Sequence, residues 1–269
     1  MSEIEPQPFT FAVLDGLGFA AQRDRLQPVA AAAYAATDLG PVLELARLSV
    51  DGLLPAPTRA IWLDMGEAAA FAAALRRGRS SWTCPFNKTG FYRLDEAPPH
   101  DETERNGFHL EAQKAAKAVG FPRQLAAQLV GAFCEIEGNV YEHSEAPVTG
   151  LAAYRATARR FEFVVSDGGI GVLASLASGP DYRDLTDHAE ALRLMLTEGV
   201  SRYGKAAKRG NGFRPLFQGL ANLKGTLRFR SGDQALTVDG VNAANIPWKP
   251  AEKPMLRGLV ASVICSLER

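Results

Sequence analysis

Three polar side chains, Glu135, Asn139 and His143, recur at intervals of four within "CEIEGNVYEHS", residues 134–144. On a helix that spacing stacks them in one slightly drifting row. A partly desolvated Glu135 in such a row can serve as a base, and the Asn139 amide oxygen can ligate a hard cation such as Mg²⁺. Taken alone, the row is also what an amphipathic helix carries on its polar flank, with His143 a cation near the negative end of the helix dipole.

Two glycine-rich turns lie further along. "FVVSDGGIGV" sets Asp167 at the end of a strand, followed by Gly168, Gly169 and Gly171. Glycine lets a backbone approach a ligand closely. An aspartate there can accept a hydrogen bond from an exocyclic amino group such as that of adenine; an ordinary Asp-Gly turn has the same letters. "KRGNGFRPLF" places Gly210 and Gly212 ahead of a helix whose apolar positions are Phe213, Leu216, Phe217, Leu220 and Leu223. Backbone N–H groups at such a start suit a phosphate, and Pro215 is tolerated in the first turn.

These residues need elements to position them. Helices are predicted over 108–119 and 122–143. At ~100° per residue, Leu125, Leu129, Ala132, Ile136 and Val140 of the second fall in a stripe about 80° wide, the expected core face. "RRFEFVVSD" alternates Phe161, Phe163 and Val165 as a strand. A helix is predicted near 185–198 and another from 213 to 224. "TLRFRS" and "ALTVDG" read as strands flanking a Gly-Asp turn, and "GLVASVICSL" as a last strand. Helices interspersed with antiparallel strands point to a two-layer α/β sandwich.

The stretch "LDEAPPHDETERNG", residues 94–107, concentrates prolines and acids and reads as an exposed connection. It separates an additional N-terminal α/β region, residues 1–100, from a second domain, residues 105–269. In the first region "FTFAVLDG" and "RAIWLDMG" resemble strands. "EAAAFAAALRRG" is a helix with Arg76 and Arg77 in its last turn and Gly78 as its stop. "WTCPFNKTGFYRL" is a strand pair, and "ELARLSV" reads as ordinary core. No motif here speaks of chemistry.

Composition narrows the function. The chain has 269 residues, 46% hydrophobic and 22% charged, with 30 basic residues against 30 acidic ones. No global field calls for nucleic acid or an anionic membrane as an obligate partner. No run approaches the ~20 apolar residues of a membrane span, and the acidic start lacks a signal-peptide pattern. Cys84, Cys134 and Cys265 are scattered, so neither disulfides nor a zinc site are expected, and a reducing cytoplasm fits. "GVSRYGKA" nearly spells a phosphate loop, but Ala206 has no hydroxyl for Mg²⁺ and the loop follows a helix. His100, His109, His143 and His188 have no metal-ligand spacing.

The ordered trio carries more than its parts: Glu-x3-Asn-x3-His on a helix, Asp-x-Gly-x-Gly after a strand, and Gly-x-Gly opening a helix. In this the sequence resembles the Bergerat-fold ATPases, the superfamily of gyrase B, Hsp90, histidine kinases and MutL. The branch of histidine-kinase-like and anti-sigma-factor serine kinases is most similar. "EIEGNVYEHS" matches their Asn-containing helix, "SDGGIGV" their first glycine box and "RGNGF" their second. "LKGTLRFRSGDQALTV" looks like the following hairpin and "LRGLVASVICSL" like the last strand. The resemblance covers residues 108–269 and leaves the first hundred out.

The resemblance implies a role for each residue. Asp167 would hold the adenine amino group, with Gly169 and Gly171 making room. Asn139 would bind Mg²⁺, Glu135 would activate water or an acceptor hydroxyl, and Gly210 and Gly212 would cradle the phosphates. His143 matches the last position of the helix box. The segment between the glycine boxes would be the ATP lid, whose cations Arg202, Lys205, Lys208 and Arg209 would meet the phosphates. Arg214 departs from the second box, where glycine or an apolar residue is usual. His109 lacks the residues around a phosphorylated histidine and is expected to be an ordinary surface or boundary residue.

The expected function is thus Mg²⁺-ATP-dependent phosphoryl transfer or hydrolysis in intracellular regulation. A regulatory protein is the expected partner, nucleic acid and membrane are not, and a homodimer is left open. The alternative is a non-catalytic, nucleotide-gated binding module.

Overall fold

The computed structural model describes residues 6–23, 34–55, 68–84, 86, 88–95, 102–196, 224–239 and 249–267. A short parallel pair, β1 (Gln7–Pro8) and β2 (Tyr34–Ala35), brackets helix α1 (Phe11–Gln22). Then come α2 (Leu39–Val50), α3 (Ala68–Arg76), β3 (Ser81–Thr83) and β4 (Thr89–Arg93). Two long helices follow, α4 (Thr103–Ala118) and α5 (Arg123–His143), and then β5 (Leu151–Thr157) and β6 (Arg160–Asp167). After α6 (Gly171–Ala177) and α7 (His188–Met195) the chain closes with β7 (Lys224–Asp239) and β8 (Ala251–Ser266). The fold is mixed α/β.

One six-stranded sheet, ordered β3-β4-β5-β6-β8-β7 and antiparallel throughout, organises the molecule. Successive strand residues point to opposite faces, and here both faces are buried. Tyr154, Phe161, Phe163, Val165, Ala261 and Val263 join Phe108, Leu129, Phe133 and Ile136 of α4 and α5 in one core. Phe91, Ala153, Val164 and Val260 join Leu14 of α1, Leu39 and Leu43 of α2 and Phe71 of α3 in the other.

The expected two layers therefore gain a third from the N-terminal region. Thr89–Arg93 pairs with Leu151–Arg155, so this region also extends the sheet across the predicted connection. The alternation of Phe161, Phe163 and Val165 described only one face of β6. Its other face carries Glu162 and Val164, which are buried as well.

Local chemistry explains several elements. The expected strand at "FTFAVLDG" is the helix α1, because the Thr10 side chain accepts from the Val13 N–H as an N-cap and Leu14 and Leu17 share one buried face. The α3 helix and the β3–β4 pair form as read, and Gly78 ends the former at φ +68°. "RAIWLDMG" lies outside the described residues. The expected hairpin around Gly232-Asp233 is instead one long strand: β7 pairs with β8 from Lys224 to Ala235, with register shifts at Ser231–Gly232 and Gly232–Gln234. The extra residues of these shifts lie on β8, where Gly258 has φ +82°, opposite Gly232 at φ +61° on β7.

Candidate functional site

Helix α5 presents its flanks to different neighbours. Its buried residues are Ala126, Leu129, Val130, Phe133, Ile136, Glu137 and Val140. Counted at ~100° per residue, this face is turned by roughly 60° from the predicted stripe. Leu125 and Ala132 are only partly buried, and Phe133 is fully buried. The turn has two consequences. Glu135 is exposed and Asn139 and His143 are half-buried, while Glu137 lies in the core. Partial desolvation still pushes the Glu135 carboxyl above its usual range, a direction that suits a base. His143 Nε2 stands 3.9 Å from the Glu142 carboxylate.

Asp167 ends β6 at the other side of this corner, 3% exposed. Its Oδ1 accepts from the Gly169 N–H at 2.8 Å, closing the turn. Burial drives its pKa up to about 6, against the opposing pull of the Gly169 N–H, the Arg47 charge and the Leu259 N–H. The glycines after it are close-approach glycines. A β-carbon on Gly169 would overlap the Ser144 carbonyl, and Gly171, at φ +77°, leaves a β-carbon only 2.9 Å from Ser231 Oγ. Opposite, a β-carbon on Gly258 of β8 would overlap the Asp167 carbonyl.

The helix box and the first glycine box meet. Ser144, directly after α5, accepts from the Ile170 N–H at 2.9 Å through its carbonyl. Thr149 Oγ1 accepts from the Gly168 N–H at 2.8 Å. Ser144 and Ile170, 26 positions apart, are thus folded onto one corner beside the Asp167 turn. Lys205, Gly210, Gly212 and the lid segment lie outside the described residues.

A carboxylate offers about four acceptor sites, and Asp167 uses two on backbone N–H groups, leaving capacity for an amino group. Among the described residues no group of three or more His, Cys, Asp or Glu side chains could hold a metal. A Mg²⁺ at Asn139 would take its other ligands from phosphate oxygens and water, as Mg²⁺ does with nucleotides.

Two charged groups escaped the sequence reading. Glu137 is fully buried between Arg105 Nε, 2.5 Å from one carboxylate oxygen, and His109 Nε2, 2.8 Å from the other. His109 is therefore neither a surface residue nor a boundary one. The signal existed: Arg105 and His109 are four apart on α4, one face, and Glu137 interrupts an apolar stripe. The second group is on α2, in the stretch read as ordinary core. There Glu44 is 1% exposed and takes both Arg228 Nε (3.1 Å) and Nη2 (3.0 Å), with Arg230 Nε at 3.3 Å. Arg47, one turn on, packs against Gly168.

Comparison of the chain with protein-family models, with curated proteins and with solved structures found no match in any of the three.

Proposed function

We propose that this chain binds Mg²⁺-ATP in the Bergerat manner and transfers the γ-phosphoryl group to a partner protein or to water in an intracellular regulatory setting. The observation that carries the reading is the Ile170–Ser144 bond. It ties the Asp167 turn to the helix bearing Asn139 and His143. Motifs matched by coincidence have no reason to meet at one corner. Asp167 serves as acceptor for the adenine amino group, Asn139 as the protein ligand of Mg²⁺, and Glu135 as base. Lys205, Gly210 and Gly212 are assigned to the phosphates on the resemblance alone. Phosphoryl transfer depends mainly on positioning and charge neutralisation, so this small set suffices.

One observation favours a second reading, binding without turnover. Glu135 is exposed on α5, where a base is poorly shielded from water. Nucleotide would then order a partner-binding surface and leave unchanged.

Thermal unfolding with and without Mg²⁺-ATP tests the shared premise. At about a hundredfold over Kd, a ligand specific for the folded state adds about 2.7 kcal/mol, a shift of several degrees. Unchanged melting with ATP, ADP and a non-hydrolysable analogue would end both readings; ATP turnover in the same samples separates them.

A further inference from the structure

The first hundred residues carry no recognisable motif, yet they reach the Asp167 corner. Helix α2 lies across the sheet, locked at several points. At its start the Leu39 N–H donates to Glu162 Oε2 at 2.9 Å, so a strand carboxylate caps the helix that Asp38 leaves without a side-chain bond. In its middle, Glu44 is clamped by Arg228 and Arg230. Gly40 sets the spacing: a β-carbon there would overlap Ser262 Oγ of β8 and the Phe11 ring. With register and height fixed this way, the last turn delivers Arg47 to one place.

That place is the first glycine box. A β-carbon on Gly168 would overlap Arg47 Nη1, so a glycine at 168 makes the room the guanidinium occupies. Nη2 of Arg47 is held by Asp51 at 2.5 Å, and Asp51 in turn accepts from the Arg257 N–H of β8 at 3.2 Å. Arg47 Nε is buried and has no hydrogen-bond partner among the described residues. A guanidinium wedged in this way acts on the neighbouring carboxylate chiefly as a fixed positive charge.

We propose that Arg47, carried by the N-terminal layer, is a positioning residue for Asp167: lodged against Gly168, its guanidinium holds the carboxylate ready to accept a hydrogen bond from a ligand's amino group. The ligand half of this proposal rests on the nucleotide reading above; the coupling of the two side chains does not. Asp167 feels desolvation first, which favours its protonated form, and a protonated carboxyl loses acceptor capacity. The groups that oppose protonation are the Gly169 N–H from its own turn, Arg47 from α2 and the Leu259 N–H from β8. Of these only Arg47 is a charged side chain, and only Arg47 comes from the N-terminal layer. Asp51, beside Arg47, offsets part of that charge. The layer thereby has a defined effect on the site: displacing α2 removes a cation that, with the Gly169 and Leu259 N–H groups, opposes protonation of Asp167.

The test follows Asp167 itself. Its carboxyl titration, read by ¹³C NMR on full-length protein without nucleotide, is compared in wild type, Arg47→Gln, Arg47→Lys and Asp51→Asn. Arg47→Gln should raise the midpoint, Arg47→Lys should restore it at least in part, and Asp51→Asn should lower it. Opposite movements in Gln and Asn variants cannot come from general loosening of the fold. Mg²⁺-ATP affinity is then measured from pH 5.5 to 8. Arg47→Gln should weaken it several-fold at pH 6 and little at pH 8, the split expected when protonation competes with binding. An Asp167 midpoint unmoved by Arg47→Gln overturns the proposal. If the midpoint moves as stated while wild type binds no adenine nucleotide, the coupling stands and the nucleotide reading falls.

Discussion

Nε2 of His109 lies 2.8 Å from Oε2 of Glu137, and both side chains are buried between α4 and α5. Burial acts to lower the histidine pKa, but its hydrogen bonds with Cys134 and Glu137 and the Glu137 charge outweigh this and bring it to about 9. A histidine raised above its unfolded value, about 6.5, stabilises the fold fully below that pH. The contribution is lost as pH rises through about 9. Urea unfolding should accordingly show stability falling between pH 6.5 and 9.5 by an amount on the order of a few kcal/mol. His109→Gln should flatten that slope. An equal slope in both proteins would assign it to other groups.

Glu44 should be among the most sensitive positions in the chain. Among the described residues, removing its charge leaves Arg230, 1% exposed, without an ion-pair partner, and Arg228 paired with Asp15. Breaking one partner out of a buried ionic cluster costs about 3–5 kcal/mol. Glu44→Gln should therefore lower the urea midpoint sharply or prevent isolation of folded protein. A loss below about 1 kcal/mol, the worth of an exposed pair, would mean the cluster is better hydrated than its burial indicates.

Glycine-to-alanine changes should divide by location. Gly169→Ala drives a β-carbon into the Ser144 carbonyl and breaks the corner, with a cost of about 1–3 kcal/mol and loss of nucleotide binding. Gly131, on the exposed side of α5, has nothing within 4 Å of a β-carbon. There alanine should stabilise by about 0.5–1 kcal/mol, since helix-interior glycine carries an entropic penalty. Thermal melts of the two variants beside wild type decide, and shifts of the same sign would contradict the packing described.

Asp167→Asn should separate folding from binding. The folded-state pKa is raised, to about 6, so the ionised carboxylate weakens the fold as pH rises from about 3.8 through that value. An uncharged amide removes that burden, and the melting temperature at pH 7 should be unchanged or higher. ATP affinity should fall more than tenfold, because the amide supplies one acceptor where the carboxylate supplied two. Retained affinity would place the adenine elsewhere.

Glu135→Gln and Asn139→Ala probe the other end of the site. The first should leave ATP affinity in place and reduce any turnover by about 10²–10⁴-fold, the usual contribution of a base. The second should weaken binding only when Mg²⁺ is present. Calorimetric titrations with and without Mg²⁺ distinguish the two, and equal losses under both conditions would indicate damage to α5 alone.

What could be read from the letters was local in origin. The α3 helix, the β3–β4 pair, the extent of α5 and the strand ending at Asp167 follow from propensity, capping and periodicity, which act over a few residues. The Asp-x-Gly-x-Gly turn was legible for the same reason, since an aspartate accepting from the N–H two residues on is a short-range device. The rotation of α5 was not. Leu125 and Ala132 are as apolar as Phe133, so a stripe drawn from the helix alone has no way to know where its neighbour lies. The approach of α4, with Arg105 and His109 facing Glu137, turned the helix until the acid faced inward and Glu135 outward. The strand at 9–16 failed because a threonine cap, itself a local signal, starts a helix there, and the hairpin at Gly232 failed because β7 continues to pair with β8, which depends on what packs alongside. Burial of β6 on both faces was likewise decided by tertiary structure. Glu162 on the second face is polar in sequence and becomes core only when the Leu39 N–H needs an acceptor. So it is with Arg47: its spacing within α2 says nothing of Asp167, 120 residues away. Only the clamping of α2 onto the sheet brings that charge to the glycine turn, because contacts so distant along a chain are set by how the layers close.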